Sequence, residues 1–369
     1  MLIDIIAGAR PNFMKIAPIV AAIKQEQLKG SDINYRLIHT GQHYDKNMSG
    51  SFFEELGIPV PEINLECGGG SQAEQTAQIM VKFEKDLMDY PADLVLVVGD
   101  VTSTMACSIV AKKLLVKVAH VEAGIRSYDL SMPEEINRMV TDSITDYFFT
   151  TTENANENLL KMGIDNGRIF LVGNTMIDTL LKNIPRLQKP AAWTDIGLAP
   201  QQYFVITLHR PANVDEEGKL KSLMDEIINN VKGLPVIFPV HPRTAKILAG
   251  MGIAASNLHM IEPLGYLQFN YLVQHAKAVI TDSGGITEET TVMGIPCLTL
   301  RDNTERPETI TIGTNELIGT NPQAIKPALQ KLFAGDWKKG GIPPFWDGKT
   351  AERIVTHLCE LFLLENTSN

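Results

Sequence analysis

The chain has 369 residues, of which 44% are hydrophobic and 21% charged, and its formal net charge is -10. That length and composition predict two globular domains, and the excess of acids argues against nucleic acid or an anionic membrane as a partner, since both require a basic surface. The four cysteines form no CxxC pair, which favours free thiols over a zinc site or redox motif. The sequence shows neither a signal peptide nor an apolar run approaching the roughly 20 residues of a membrane helix. A cytoplasmic protein is therefore expected.

Short apolar runs alternate with segments of helical periodicity through the first half of the chain. Ala73, Ala77 and Met80, for example, lie on one face of a predicted helix, and Pro133 is well placed to begin another. Such alternation predicts a parallel sheet covered by helices on both faces. The predicted strands span residues 2–7, 35–39, 94–98, 118–121 and 147–150, and the predicted helices span residues 13–23, 71–87, 105–115 and 133–143.

The same alternation continues in the second half of the chain. Residues 188–202 are rich in Pro, Ala and polar residues without a clear period, so they are predicted to connect the two halves. The fold class is therefore α/β, with two doubly wound halves that bind ligands at the carboxyl ends of their strands and face each other across a cleft. The predicted strands span residues 169–173, 204–207, 236–240, 258–261, 278–281 and 297–300, and the helices span residues 174–182, 220–230, 243–250, 266–275, 287–293 and 350–364.

Two strand-to-helix turns have the character of anion sites. Gly8 permits close backbone approach, Arg10 and Lys15 add positive charge, and the following helix offers unpaired N–H groups. In the second turn, residues 283–285 leave backbone amides exposed at a helix start, and Glu289 is placed to accept hydrogen bonds from a ribose diol or to compensate the helix dipole. Either turn alone is also compatible with a plain solvated turn. Together they favour a nucleotide diphosphate, and neither has the motif of an ATP or NAD site.

Three acids fall where a proton-moving site is expected. Asp100 and Glu122 each follow a predicted strand, and Glu134 lies at the start of the next predicted helix. Carboxylates held in different environments can divide the acid and base roles of one reaction. The alternatives are a helix cap for Asp100 and dipole compensation for Glu134 or Glu135.

Two histidines follow strands of the second half. His209 and His241 each stand beside an arginine in a turn, where they can contact phosphate oxygens or move a proton. The alternative is a satisfied structural histidine. His120 is less persuasive by position, and no helical pair of histidines indicates a metal site.

An ordered set of motifs resembles the bacterial non-hydrolysing UDP-N-acetylglucosamine 2-epimerases. Each piece is weak alone, but together they cover nearly the whole chain, from about residue 2 to about residue 362. The motifs are Gly8-Ala9-Arg10-Pro11, His120-Val121-Glu122-Ala123-Gly124, Pro133-Glu134-Glu135-Ile136-Asn137-Arg138, Gly173-Asn174-Thr175, Asp282-Ser283-Gly284-Gly285 and the charged segment 301–308.

The resemblance implies two Rossmann-like domains in a glycosyltransferase-B arrangement, a homodimer, a UDP-sugar substrate, and a reaction without metal or other cofactor. It places residues 1–172 and the last helix, about 350–369, in a first domain with the catalytic acids, and residues 173–349 in a UDP-binding second domain. The implied catalytic residues are Asp100, Glu122, Glu134 and His209. The implied UDP or substrate contacts are Arg10, Lys15, His241, Ser283, Gly284, Gly285 and Glu289, to which Arg138, Arg210 and Arg306 are added as candidates.

Part of the resemblance is incomplete. Gln42 and His43 match a pair in the allosteric UDP-N-acetylglucosamine site of well-known members and are candidate regulatory residues. However, Asp45 stands near the position of a second glutamine, and residues 67–71 offer no arginine. Residues 41–61 look more like a branch that includes epimerases of UDP-diacetamido-uronic acids, which is an alternative substrate class.

The chemistry of such a sugar leaves one route to inversion at C2. The C2 hydrogen is not acidic and no NAD motif offers oxidation, so UDP is expected to leave with the C2 proton and to return after protonation from the other face. The intermediate is a 2-acetamidoglucal, and water must be excluded from it. A retaining glycosyltransferase, a hydrolysing epimerase and a non-catalytic UDP-sugar sensor are the alternatives, and the three acids favour the epimerase.

Overall fold

The chain folds into two units of α/β structure. A computed structural model describes residues 1–41, 53, 57–214, 217–240, 245, 248, 250–253 and 255–367, with the backbone alone at residues 10, 211, 212, 217 and 364–367. One unit comprises Met1–Lys182 together with Pro344–Asn369, and the other comprises Asn183–Pro343.

The first unit is built on a seven-stranded sheet in which all neighbouring strands are parallel. Its strands are β1 (Leu2–Ala7), β2 (Asn34–His39), β3 (Ile63–Asn64), β4 (Leu94–Val98), β5 (Lys117–Val121), β6 (Tyr147–Thr150) and β7 (Ile169–Leu171). The spatial order is β3-β2-β1-β4-β5-β6-β7. Because the order reverses between β1 and β4, the ends of these two strands form the point at which doubly wound sheets bind ligands.

Helices cover both faces of this sheet. The helix that precedes β4 begins with a capping box, in which the Ser71 hydroxyl accepts from the Glu74 amide and the Glu74 carboxylate accepts from the Ser71 amide. The helices of the first unit up to the second are α1 (Arg10–Leu28), α2 (Gln72–Asp89), α3 (Thr102–Lys113), α4 (Pro133–Ile144), α5 (Glu153–Lys161) and α6 (Thr175–Asn183).

The end of the chain packs on the first unit. The Asp178 carboxylate accepts the backbone amides of Thr350 and Ala351 at 3.1 and 2.7 Å, which caps the last helix. A Cβ at Gly173 would lie 2.1 Å from the Phe345 carbonyl oxygen, so this contact requires glycine. The last helix, which is α14 in chain order (Thr350–Thr367), also packs against α1.

The second unit repeats the same strand order on a six-stranded parallel sheet. Its strands are β8 (Phe204–Thr207), β9 (Val236–Pro239), β10 (Leu258–Ile261), β11 (Ala278–Thr281), β12 (Cys297–Thr299) and β13 (Asn315–Leu317). The spatial order is β10-β9-β8-β11-β12-β13, so the reversal falls between β8 and β11. A buried apolar cluster that includes Phe204, Met224 and Phe238 fills the space between this sheet and its helices.

The helices of the second unit complete the alternation. They are α7 (Ala191–Ile196), α8 (Pro211–Val214), α9 (Glu217–Asn230), α10 (Tyr266–His275), α11 (Gly284–Met293), α12 (Pro307–Thr311) and α13 (Ile325–Ala334). None of the helices in the described part of the chain has the length and apolar character needed to cross a membrane.

The predicted α/β class with two parallel sheets is confirmed, and most predicted strands agree with the structure to within two residues. The prediction that residues 188–202 only connect the halves was wrong, because they contain α7, whose Trp193 packs edge-on against Tyr203 and Tyr271. A helix of six residues is too short to show a period in the sequence. The elements β3, α5, α8, α12, α13 and β13 were not predicted, and the predicted helix at 243–250 lies largely outside the described residues.

Candidate active site

In the first unit, Asp100 follows β4 and is fixed by the start of α4. Its Oδ2 accepts from Arg138 Nε and Nη2 at 3.0 and 2.5 Å, and its backbone oxygen accepts from Asn137 at 2.8 Å. The side chain of Asp100 remains 30% exposed, so it is held but still accessible. The N-cap of α3 is Val101, so the capping alternative for Asp100 does not apply.

Glu122 follows β5 in a strained conformation. Its φ is +69°, in the left-handed region that residues other than glycine rarely adopt. The residue is buried, and Lys15 Nζ donates to its Oε2 at 2.7 Å. Backbone strain of this kind is held in place by surrounding structure and is concentrated at functional sites.

The ends of β1, β4 and β5 converge on Gly99. A Cβ at this position, where φ is +70°, would lie 3.1 Å from Lys15 Nζ, 3.7 Å from Asn12 Nδ2 and 3.9 Å from Glu122 Oε2. Asn12 also donates to the Val98 carbonyl at 2.8 Å, which joins the first turn of α1 to the end of β4. The structure therefore brings the predicted residues Lys15 and Glu122 together beside Asp100.

The two adjacent acids at the start of α4 have different surroundings. Glu135 is buried and accepts from the Ser127 and Tyr128 amides at 2.9 and 3.0 Å and from Arg138 at 2.7 Å. Burial alone would raise the pKa of Glu135, but these hydrogen bonds lower it below its ordinary value. Glu134 is partly buried, and no described residue donates a hydrogen bond to its carboxylate. Glu135 is thus bound into the loop that precedes α4, whereas Glu134 keeps its carboxylate available.

In the second unit, Asp282 at the end of β11 orients His209 at the end of β8. The Asp282 carboxylate is fully buried, and its Oδ1 lies 2.8 Å from His209 Nδ1. It also accepts from the Arg210 amide at 2.9 Å and from Asn213 Nδ2 at 3.1 Å. Burial alone would raise the pKa of Asp282, but the bonds from His209, the Arg210 amide and Asn213 lower it. With Nδ1 engaged, and the His209 side chain 61% exposed, Nε2 is the ring nitrogen available to a ligand.

The helix α11 begins at the predicted phosphate turn. Ser283 is its N-cap, and Gly284 and Gly285 are its first two residues. A Cβ at Gly284 would lie 2.9 Å from Glu305 Oε1, so the glycine leaves room for a charged loop. Glu305 in turn pairs with Arg301 at 2.6 Å, and Arg210 Nη2 lies 3.9 Å from it. The Ser283 amide, which was predicted to be open, donates to Thr281 Oγ1 at 3.0 Å. The amides of Gly284 and Gly285 remain at the helix start beside the two arginines, which suits an anion.

Glu289 lies inside α11 and is buried. It accepts from the Tyr266 hydroxyl at 2.8 Å and from Asn270 Nδ2 at 3.5 Å. Burial raises the pKa of Glu289 to about 7, despite these hydrogen bonds. A carboxyl group that is half protonated at neutral pH does little to compensate a helix dipole, so this alternative is disfavoured.

The remaining predicted residues have varied positions. Arg306 is buried, and its Nε pairs with Glu288 at 2.9 Å. Arg10 begins α1, but its side chain is outside the described part of the chain, and Gln42, His43 and His241 lie outside the described residues altogether. Among the residues that are described, no group of three or more His, Cys, Asp or Glu side chains is arranged to hold a metal ion.

Sequence reasoning missed several residues that organise this site. Asp282 was read only as part of a phosphate turn, and Asn12, Asn137 and Asn213 were not considered. The sequence did contain a signal for Asp282. In a doubly wound sheet the first and fourth strands are neighbours, so His209 after β8 and Asp282 after β11 are expected to lie close together. His120, which seemed unpersuasive by position, is fully buried with both ring nitrogens in hydrogen bonds.

Comparison with known proteins gives consistent matches along the whole chain. A sequence profile of the family described as UDP-N-acetylglucosamine 2-epimerase matches residues 26–359. The UDP-N-acetylglucosamine 2-epimerase of Methanocaldococcus jannaschii is 42% identical over 367 residues, which cover 96% of this chain and 98% of the relative. The UDP-2,3-diacetamido-2,3-dideoxy-D-glucuronate 2-epimerase of Pseudomonas aeruginosa is 38% identical over 371 residues, covering 98% of this chain and all of the relative (100%). The crystal structure of the M. jannaschii enzyme in complex with UDP-GlcNAc and UDP aligns with a TM-score of 0.85 over 97% of this chain and 99% of that one.

Proposed function

Because the chain belongs to the UDP-N-acetylglucosamine 2-epimerase family, we propose that it interconverts UDP-N-acetylglucosamine and UDP-N-acetylmannosamine by inversion at C2. Its two proposed domains are residues 1–172 with the last helix, about 350–369, and residues 173–349. These bounds approximate the two units Met1–Lys182 with Pro344–Asn369 and Asn183–Pro343. The first supplies the acids that act on the sugar, and the second holds the nucleotide.

The second unit has the groups that a uridine diphosphate requires. The amides at the start of α11, together with Arg210 and Arg301, suit the diphosphate. Glu289 is placed one turn further along α11, where its carboxylate can accept hydrogen bonds from a ribose diol. Arg10, Lys15, Arg138, His241 and Arg306 remain proposed contacts to the nucleotide or sugar.

The reaction needs a base, an acid and a stabilised leaving group. A carboxylate takes the C2 proton as the C1–O bond breaks, which leaves a C1=C2 double bond and free UDP. UDP then adds back through its terminal phosphate oxygen at C1, while C2 takes a proton on the opposite face. We propose Asp100, Glu122 and Glu134 for the proton transfers and for the developing charge at C1. His209, with Nε2 available, interacts with the leaving phosphate oxygen.

One observation carries this proposal: the three acids have three different environments. Asp100 is paired with Arg138, Glu122 is paired with Lys15, and the Glu134 carboxylate receives no hydrogen bond from any described residue. Groups held in distinct environments can keep different protonation states at one pH, which a reaction that both removes and returns a proton requires.

Solvent isotope exchange tests the elimination. The enzyme is incubated with UDP-N-acetylglucosamine in D2O, and the recovered sugar nucleotides are examined for deuterium at C2. We expect label at C2 in both epimers and no accumulation of free sugar. Inversion without label would rule out the elimination route, and free reducing sugar as the main product would indicate a hydrolysing enzyme.

A substrate panel tests the sugar. UDP-N-acetylglucosamine and its 2,3-diacetamido-uronic acid analogue are compared by kcat/KM under identical conditions. We expect the higher value for UDP-N-acetylglucosamine, in line with the M. jannaschii relative. A preference for the uronic acid would reassign the substrate while keeping the reaction.

The state of the protein in solution is a separate part of the proposal. We propose a cytoplasmic homodimer that requires no metal or other cofactor, with Gln42 and His43 as candidate regulatory residues. Light scattering after size exclusion tests the dimer. Activity after exhaustive dialysis against a chelator tests the independence from metal, and full loss of turnover would contradict it.

A further inference from the structure

His120 lies in the middle of the first unit, and both of its ring nitrogens form hydrogen bonds. The residue is on β5 and is fully buried. Its Nδ1 lies 2.7 Å from Asp142 Oδ1, and its Nε2 lies 2.8 Å from the backbone oxygen of Gly99. Neither partner belongs to β5, so the ring joins three separate segments of the chain.

The identity of these partners determines the protonation of the ring. A backbone carbonyl can only accept, so Nε2 must donate to Gly99. The other oxygen of Asp142 accepts from Arg126 Nη2 at 2.7 Å and from the Gly124 amide at 3.1 Å, which is the environment of an ionised carboxylate. An ionised carboxylate also only accepts, so Nδ1 must donate as well. Both ring nitrogens therefore carry protons.

The charges around the ring agree with this reading. The charged groups that face it are Asp142 on α4 and Arg126 in the segment after β5. Burial alone would raise the pKa of Asp142, but the charges and hydrogen bonds of His120 and Arg126 lower it. A single buried carboxylate thus serves two cations.

The network reaches both turns that carry candidate catalytic acids. Gly99 immediately precedes Asp100, and its amide donates to the Val121 carbonyl at 3.0 Å. Gly124 follows Glu122 by two residues, and its carbonyl accepts from Asn158 at 2.9 Å. Because His120 holds the Gly99 carbonyl and Asp142 holds the Gly124 amide, one ion pair fixes the turn after β4 relative to the turn after β5.

We propose that His120 is a positioning residue that, through its hydrogen bonds to Gly99 and Asp142, holds Asp100 and Glu122 in register. This inference rests on the proposed function for its catalytic consequence, whereas the hydrogen bonds of the ring can be measured without it. A side chain of similar size without the charge retains at most part of the network.

The protonation is tested by nitrogen NMR of enzyme labelled with 15N at its histidine rings. The His120 signals are assigned by their loss in His120→Gln. We expect a directly bonded proton on each ring nitrogen, because the Gly99 carbonyl and the Asp142 carboxylate both accept. A ring nitrogen without a proton would overturn the proposed ion pair, because Asp142 would then hold the proton.

The positioning role is tested by kinetics of the same variant. In His120→Gln we expect kcat to fall about 100-fold, the typical cost of a displacement of about 1 Å, with KM and the Kd for UDP close to those of the parent enzyme. His357→Gln is the matched control, because His357 lies in the same unit and its contacts, the exposed Glu360 at 3.2 Å and the ring of Phe170, are not part of the His120 network. A folded His120→Gln enzyme with parental kcat would show that the residue only packs.

A second variant covers the case in which His120→Gln does not fold. Asp142→Asn keeps the shape of the carboxylate but gives His120 and Arg126 a neutral amide in place of their shared carboxylate, so the network should weaken and kcat should fall with little change in KM. A folded Asp142→Asn enzyme with the parental kcat would refute the positioning role. Failure of the proposed function can be distinguished from failure of this inference. If C2 took up no deuterium, or if the parent enzyme were inactive, the NMR result for His120 would be unaffected.

Discussion

The two sheets of this chain share one strand order but carry different chemistry where that order reverses. In the first unit, the ends of β1, β4 and β5 bring together carboxylates and their cationic partners, with Lys15 on Glu122 and Arg138 on Asp100. In the second unit, the ends of β8 and β11 bring together a histidine, a buried aspartate and a glycine-containing helix start.

The difference teaches that the topology determines where a site forms and the residues determine what it does. Parallel strands deliver their carboxyl ends to one edge in both sheets. At that edge, buried acid–base pairs suit proton transfer, and open amides beside arginines suit a diphosphate. Substitutions that affect one of these functions and not the other test the comparison directly.

The largest effect is expected from Glu122→Gln. The amide is close in size but cannot take a proton, so kcat should fall about a thousandfold, within the usual range for loss of an acid–base group. The Kd for UDP, measured by calorimetry, should change little, because the proposed nucleotide contacts lie mainly in the second unit. Glu157→Gln, on an exposed side chain of the same unit, is the control and should retain full activity. Loss of UDP binding in Glu122→Gln would contradict the division of roles.

A smaller loss is expected from Asp282→Asn in the second unit. The neutral amide binds His209 Nδ1 more weakly than the carboxylate does and no longer fixes the tautomer of the ring. We therefore expect kcat to fall about a hundredfold, which is less than the loss of kcat when asparagine replaces the aspartate of a Ser-His-Asp triad. Asp225→Asn, on an exposed side chain of α9, is the control. The comparison would be weakened if Asp282→Asn lost UDP affinity in proportion to kcat, because the residue would then belong to the nucleotide site alone.

The pH dependence of nucleotide binding follows from the buried carboxyl group of Glu289. Its pKa is raised to about 7, so the group is protonated below that pH and can accept from two ribose hydroxyls only above it. UDP affinity should therefore fall about tenfold per pH unit below about pH 7, with a proton released on binding. Glu289→Gln should bind UDP more weakly at high pH and lose this slope. Calorimetry in buffers of different ionisation enthalpy measures both quantities, and a flat profile in the parent enzyme would contradict a role for Glu289 at the ribose.

The same group affects the stability of the ligand-free protein in the opposite direction. Its pKa in the folded state, about 7, exceeds the ordinary value of 4.5, so the folded state binds the proton more tightly. The stabilisation is fully present below about pH 4.5 and is lost as the pH rises through about 7. The Glu289→Gln protein should lack this dependence in denaturant titrations. If the stability of Glu289→Gln depended on pH as that of the parent protein does, other groups would be responsible for this dependence.

The smallest effect is expected at a helix cap that makes no contact with the candidate acids. Ser71→Ala removes a helix cap of α2, which should lower the free energy of unfolding by about 1 kcal/mol and the Tm by about 2–4 °C. Both kcat and the UDP affinity should remain unchanged. A change in kcat or in UDP affinity would show that the stability of α2 affects the candidate catalytic acids or the nucleotide site. Proton transfer and nucleotide binding would then be less separable than proposed.

Much of the fold was predictable because its strands are buried on both faces. Leu94–Val98 and Tyr266–His275 were predicted with their observed bounds, since a continuous apolar run and a helical period are local properties. The short helix Ala191–Ile196 was not, because its stability comes from Trp193 packing on distant aromatic rings and not from its own sequence.

The kinds of residue at the strand ends were also readable from the chain, and Asp100, Glu122 and His209 were proposed as candidates in this way. The pairs that these residues form were not predicted. Lys15 and Glu122 are 107 positions apart, and His209 and Asp282 are 73 positions apart. Which side chains meet depends on which strands are neighbours, and that order is set by packing of the whole sheet. Local sequence therefore specifies the elements and their reactive groups, whereas only the folded sheet decides which acid meets which cation and which nitrogen of His209 is left to act.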